Sequence, residues 1–98
     1  MLFFVMYDIE SNKVRNYVAK YLLRNGCFRI QNSIYLAEAD NSVYQKIKED
    51  LAKVQESYDN YDSIIVLPVT TDYLNMMKII GKEIDVDVIT HRKNTLSF

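Results

Sequence analysis

The stretch Leu2–Asp8, Leu-Phe-Phe-Val-Met-Tyr-Asp, most constrains what this chain can fold into. Six apolar or aromatic residues run without a break, and a carboxylate stops them. A short unbroken apolar run with β-branched and aromatic content suits a strand buried on both faces. Such a strand lies inside a sheet, and its last residue emerges at the carboxyl edge. Asp8 is then a charged group at the mouth of the best-buried element, either a functional carboxylate or a cap on the following turn.

Beyond Asp8, the stretch Ile9–Lys13 holds Glu10, Ser11 and Asn12, good turn and helix-capping residues. Val14, Tyr17, Val18, Tyr21 and Leu22 then recur at helical spacing, and Gly26 marks the helix end. At about 100° per residue, Lys13, Lys20 and Arg24 share one flank of that helix. Arg15 falls on the other flank, in the first turn and close in sequence to Asp8. From Phe28 to Ala37 the pattern changes to period two, as in a strand nearer the sheet edge. Ser42 with Gln45 fits a capping box ahead of a second helix, whose apolar stripe is Val43, Ile47, Leu51, Val54 and Tyr58. Tyr61–Asp62 reads as a turn. Ile64–Leu67 is a second unbroken apolar run, hence a second central strand, and Pro68 limits its further pairing. Tyr73–Met77 reads as one helical turn, and Ile79–Ile80 as a brief strand before Gly81.

Breaking the Phe28–Ala37 stretch at Gln31–Asn32 gives two short strands and the order strand, helix, strand, strand, helix, strand. This is the α+β, ferredoxin-like βαββαβ sandwich, with the two apolar runs as neighbours in its sheet. The expected domain covers residues 1–82. Residues 83–98 follow as a carboxyl-terminal strand and tail, with Ile84–Ile89 alternating cleanly. An extra amphipathic strand after the fold is complete either closes its own edge or pairs with a second copy of the chain, giving a homodimer with exchanged strands.

The composition removes several classes of chemistry. Cys27 is the one cysteine, so there is no internal disulfide and no multi-cysteine metal site. His91, the one histidine, stands among Arg92, Lys93 and Asn94, which makes a nucleophilic triad a poor fit. No apolar run approaches the roughly 20 residues that span a bilayer, and the opening run lacks a signal peptide's basic flank, so no membrane partner and a cytoplasmic location are expected. The net charge of −1 hides an uneven distribution. Residues 1–33 carry five bases (Lys13, Arg15, Lys20, Arg24 and Arg29) against Asp8 and Glu10, whereas residues 34–62 carry three lysines against seven acids. A basic section on a near-neutral protein is compatible with a phosphate-bearing partner, although such a section is commonly just a solvated face.

A lone aspartate is poor catalytic equipment, because Mg²⁺ or Mn²⁺ prefers several oxygen ligands. A twofold axis near Asp8 brings a second copy. Two carboxylates with water and phosphate oxygens then form a metal site suited to phosphodiester hydrolysis. Arg15 could hold a phosphate there.

Taken together, Tyr7-Asp8-Ile9 after an apolar first strand, Arg15, Gly26, Gln31-x-Ser33-Ile34-Tyr35, an apolar strand with Pro68 and a later Gly81 resemble the family of the second universal CRISPR-associated adaptation protein. The resemblance covers about residues 1–90. It implies a ferredoxin-like homodimer with exchange through the carboxyl-terminal segment, and a Mg²⁺- or Mn²⁺-dependent endonuclease site at paired copies of Asp8. It also implies a partnership with the CRISPR integrase, in which the dimer bridges double-stranded DNA for spacer insertion. Lys13, Arg15, Lys20 and Arg24 are then the nucleic-acid-binding candidates, and single-stranded RNA is a second candidate substrate. Asn16 stands where the family often has a base, and the mildly acidic net charge weakens DNA binding by the dimer alone. The competing reading is a toxin-type endoribonuclease of the same fold.

Overall fold

The computed structural model describes residues 1–81. Its elements in chain order are β1 (Leu2–Asp8), α1 (Asn12–Arg24), β2 (Phe28–Gln31), β3 (Ile34–Glu38), α2 (Asn41–Glu56), β4 (Ser63–Val69) and a short α3 (Thr71–Met76). The four strands form one sheet in the order β2-β3-β1-β4, and every neighbouring pair is antiparallel. This is the ferredoxin-like α+β arrangement, and the break between β2 and β3 falls at Asn32–Ser33, one residue beyond the expected Gln31–Asn32. Ser33 turns that corner at φ 68°, a left-handed conformation that lets the chain reverse within two residues.

β1 is central, flanked by β3 and β4, but its two faces are not equally buried. Phe3, Val5 and Tyr7 are buried beneath the helices, together with Val18 and Leu22 of α1, Tyr35 and Ala37 of β3, and Tyr44, Ile47 and Leu51 of α2. Leu2, Phe4 and Met6 point to the opposite face and are only half-buried. A second, smaller cluster covers part of that face, with Leu74, Met77 and Ile79 lying against Ile30, Leu36, Phe4 and Phe28.

Several local expectations need correction. Ile64–Leu67 belongs to β4, which is the edge strand of the described sheet and not a second central one. An edge position also explains how Pro68, which lacks an N–H to give the ladder, is accommodated in the strand. Helix α2 is capped by Asp40, whose Oδ1 accepts from the Val43 N–H at 2.9 Å, and not by Ser42. The helix thus starts two residues earlier than expected, and Tyr44, outside the apolar stripe read from spacing, is buried in the core. Tyr17, expected in the stripe of α1, is 58% exposed. Ile79–Ile80 forms no strand. The Ile84–Ile89 strand and the tail to residue 98 lie outside the described residues. No helix among the described residues is long and apolar enough to cross a membrane.

Candidate functional site at the carboxyl end of the central strand

The end of β1 is held from both sides. The Tyr7 N–H donates to the Ser33 carbonyl at 3.0 Å, so the β2–β3 turn is tied directly to the residue before Asp8. On the other side Asp8 stands opposite Ser63, the first residue of β4. The Asp8 backbone is thereby fixed in the sheet while its side chain is exposed. Its carboxylate makes no hydrogen bond or ion pair among the described residues and remains available to a ligand.

The loop beyond Asp8 is braced as well. Ile9 is buried in the main core. The Arg15 guanidinium reaches back along the first turn of α1, and Nη1 donates to the carbonyls of Ile9 at 2.7 Å and Glu10 at 2.8 Å. Ser11 caps the helix, its Oγ accepting from the Val14 N–H at 3.2 Å. The Glu10 N–H donates to Asp62 Oδ1 at 3.1 Å, and the Tyr58 hydroxyl donates to Asp62 Oδ2. That bond, with partial burial, pushes the Tyr58 phenol up to about 12. Asp62 is held in turn by Asn60, whose Oδ1 accepts from the Asp62 N–H at 2.8 Å while its Nδ2 donates to the carbonyls of Gln55 and Tyr58.

The candidate residues therefore divide into two groups. Arg15 is bonded to the loop that follows Asp8 at the carboxyl end of β1, and it spends one nitrogen on the loop carbonyls while leaving the rest of its fork for an anion. Lys13, Lys20 and Arg24 are exposed along α1 and make no ion pair; among the described residues the ion pair is Lys46–Asp50, at 2.9 Å. At 1.5 Å rise per residue the row from Lys13 to Arg24 extends about 16 Å, away from Asp8. It forms a strip that could follow a nucleic-acid backbone and does not line a pocket around the carboxylate.

No group of three or more His, Cys, Asp or Glu residues suited to a metal occurs among the described residues. Asp8 and the nearby exposed Glu10 do not make up such a group within one chain. Sequence reasoning missed Asp62 and Tyr58. Asp62 read as an ordinary turn residue and Tyr58 as the end of an apolar stripe. Glu10, the partner of Asp62, lies 52 positions from it, and no local spacing carries that contact.

A four-stranded antiparallel sheet in the order β2-β3-β1-β4 with two helices on one face defines a ferredoxin-like domain, and its candidate site is the exposed aspartate that ends the central strand. The family model for CRISPR-associated protein Cas2 matches residues 1–77. The chain belongs to the Cas2 family and has a CRISPR-associated role. Among solved structures it is similar to the crystal structure of Streptococcus pyogenes Cas2 at pH 6.5, with TM-score 0.69 and 24% identity over 83% of this chain and 100% of that one. At that identity the likeness speaks to the fold. No curated protein matches the chain.

Proposed function

We propose that the protein acts as a homodimeric CRISPR adaptation factor, bridging double-stranded DNA for an integrase, and that paired copies of Asp8 form a Mg²⁺- or Mn²⁺-dependent endonuclease site on RNA or DNA. The observation that carries the reading is the Asp8 carboxylate, exposed and unengaged on a backbone fixed from both sides. A carboxylate placed so firmly yet left without a partner suits a ligand that a second copy completes. Two such groups, one from each chain, fit a hard divalent cation together with water and phosphate oxygens. A metal bound there supplies Lewis-acid activation of the phosphate and a more acidic bound water. Arg15 orients a phosphate through its remaining N–H groups. The strip Lys13, Lys20 and Arg24 holds a duplex by its phosphates, independently of sequence.

The bridging role and the nuclease role separate in one reconstituted experiment with the integrase, a DNA duplex and Mg²⁺. Exchanging Lys13, Lys20 and Arg24 for Glu is expected to abolish spacer integration. Asp8→Asn is expected to leave integration intact and to remove metal-dependent cleavage of added single-stranded RNA or DNA. Normal integration by the triple variant removes that strip from the DNA path, and unchanged cleavage by Asp8→Asn places the nuclease elsewhere.

A further inference from the structure

We propose that Asp62 is a positioning residue for Asp8, acting through the loop that follows the central strand; the inference rests on Asp8 being the functional carboxylate. Asp62 is the residue before Ser63, the cross-strand neighbour of Asp8. Its two carboxylate oxygens face different elements: Oδ1 takes the Glu10 N–H at 3.1 Å, and Oδ2 takes the Tyr58 hydroxyl. The Asp62 backbone is fixed by Asn60, which is bonded to Gln55 near the end of α2 by 3.2 Å and 2.9 Å contacts. A continuous set of hydrogen bonds thus runs from the end of α2 through Asn60 and Asp62 to Glu10, two residues from Asp8.

Ile9 is held in the core and Ser11 by its cap on α1, whereas Glu10 between them is exposed and held through its backbone. Arg15 secures its carbonyls, and Asp62 secures the Glu10 N–H, so each polar side of the Glu10 backbone has a charged side-chain partner. Charge-assisted bonds of this kind are stronger than neutral ones and fix direction as well as distance. Tyr58 sets the rotamer of Asp62, since a carboxylate anchored at one oxygen presents the other along a fixed line. Asp62 touches no substrate in this account and contributes through the placement of Asp8.

The test uses the full chain with Asp62→Ala, Asp62→Asn and Tyr58→Phe. Asparagine keeps an oxygen for the Glu10 N–H and can give its amide hydrogen to the Tyr58 oxygen; alanine keeps neither contact. In Asp62→Ala the Glu10 amide is expected to exchange with solvent about tenfold faster, the effect of losing one hydrogen bond, while Val5 exchanges as before. With a short single-stranded RNA and Mg²⁺, kcat is expected to fall about tenfold with KM within about twofold, a split that general destabilisation does not produce. Asp62→Asn should restore both readouts to near wild type, and Tyr58→Phe should fall between. Wild-type exchange at Glu10 in Asp62→Ala overturns the brace, and faster exchange with unchanged kcat overturns its effect on Asp8. If wild type and Asp8→Asn cleave alike, the nuclease reading has failed separately. The backbone relaxation of Asp8 then decides: greater mobility in Asp62→Ala upholds positioning, and equal mobility refutes it.

Discussion

On the helix side of the sheet Phe3, Val5 and Tyr35 are fully buried, whereas on the opposite side Ile65 and Leu67 remain 53% and 46% exposed. The first set comes from β1 and β3 and the second from β4, and alternate residues of each strand point to opposite faces of the one sheet. Register makes the contrast sharp: Phe4 pairs with Leu67 and Met6 with Ile65, so four large apolar side chains share one region of the open face. Leu74, Met77 and Ile79 cover the β2–β3 half of that face and reach Phe4 of β1, while Ile65 and Leu67 of β4 stay largely uncovered by the described residues. One face is finished by the chain's own helices. The other is apolar without being closed, and a surface of that kind favours a partner. A second copy of the chain is the occupant in our proposed reading, which also needs a second Asp8.

The contrast makes its largest prediction on the finished face. Phe3 lies in the centre of the core with its ring edge-on to Tyr44, centroids 4.9 Å apart at 66°. Phe3→Ala removes that contact and leaves a cavity the sheet cannot fill, and should destabilise the fold by about 3–5 kcal/mol. Denaturant unfolding measures the effect. A loss under about 1 kcal/mol would mean that the two faces are equally loose.

A smaller effect is expected at high pH, again from the helix side. The Tyr35 hydroxyl is buried without a hydrogen-bond partner, and its ring stacks on Tyr7 at 6.0 Å. Burial, with the Tyr7 phenol beside it, pushes the Tyr35 phenol up to about 12. The fold therefore favours the protonated form. That contribution is present in full below about pH 10, the ordinary tyrosine value, and is lost as pH rises through about 12. Tyr35→Phe should lose less stability across that interval than wild type, with Tyr58 accounting for part of what remains. Identical alkaline unfolding of the two proteins would show that Tyr35 is not confined as described.

These contrasts also show what the sequence could and could not reveal. The unbroken run Leu2–Tyr7 identified the central strand because its position between two neighbours leaves no wet edge, and Asp8 followed as the residue at its mouth. Gly26 ended α1 legibly, since its φ of +86° favours a residue without a Cβ. Ile64–Leu67 looked equally apolar and yet forms an edge strand: hydrophobicity reports a face that will be covered, not which molecule covers it. The Asp40 cap was hidden because Ser42 offered an equally good local pattern three residues ahead of Gln45. Arg15 could be placed near Asp8 by helical phase, but its hold on the Ile9 and Glu10 carbonyls depends on how the loop bends. Asp62 and Tyr58 were beyond reach, because the packing that joins them to Glu10 forms only once α2 and β4 are in place.

The smallest effect on the chain's own stability, and the most direct test of the comparison, is expected at Leu67. This side chain is half exposed on the open face, opposite Phe4. Leu67→Glu forfeits only the buried part of its apolar surface, about 1 kcal/mol or less for the isolated chain. At a contact between two copies the same change places two carboxylates in an apolar interface, where unpaired charge is strongly disfavoured. Sedimentation should show a dimer for wild type and a folded monomer for Leu67→Glu, with little change in circular dichroism. Metal-dependent cleavage, which in the proposed reading needs Asp8 from both copies, should disappear with the dimer although Asp8 is untouched. A Leu67→Glu protein that remains dimeric would place the contact on another surface, and one that is monomeric yet still cleaves would separate the active carboxylate from its proposed twin.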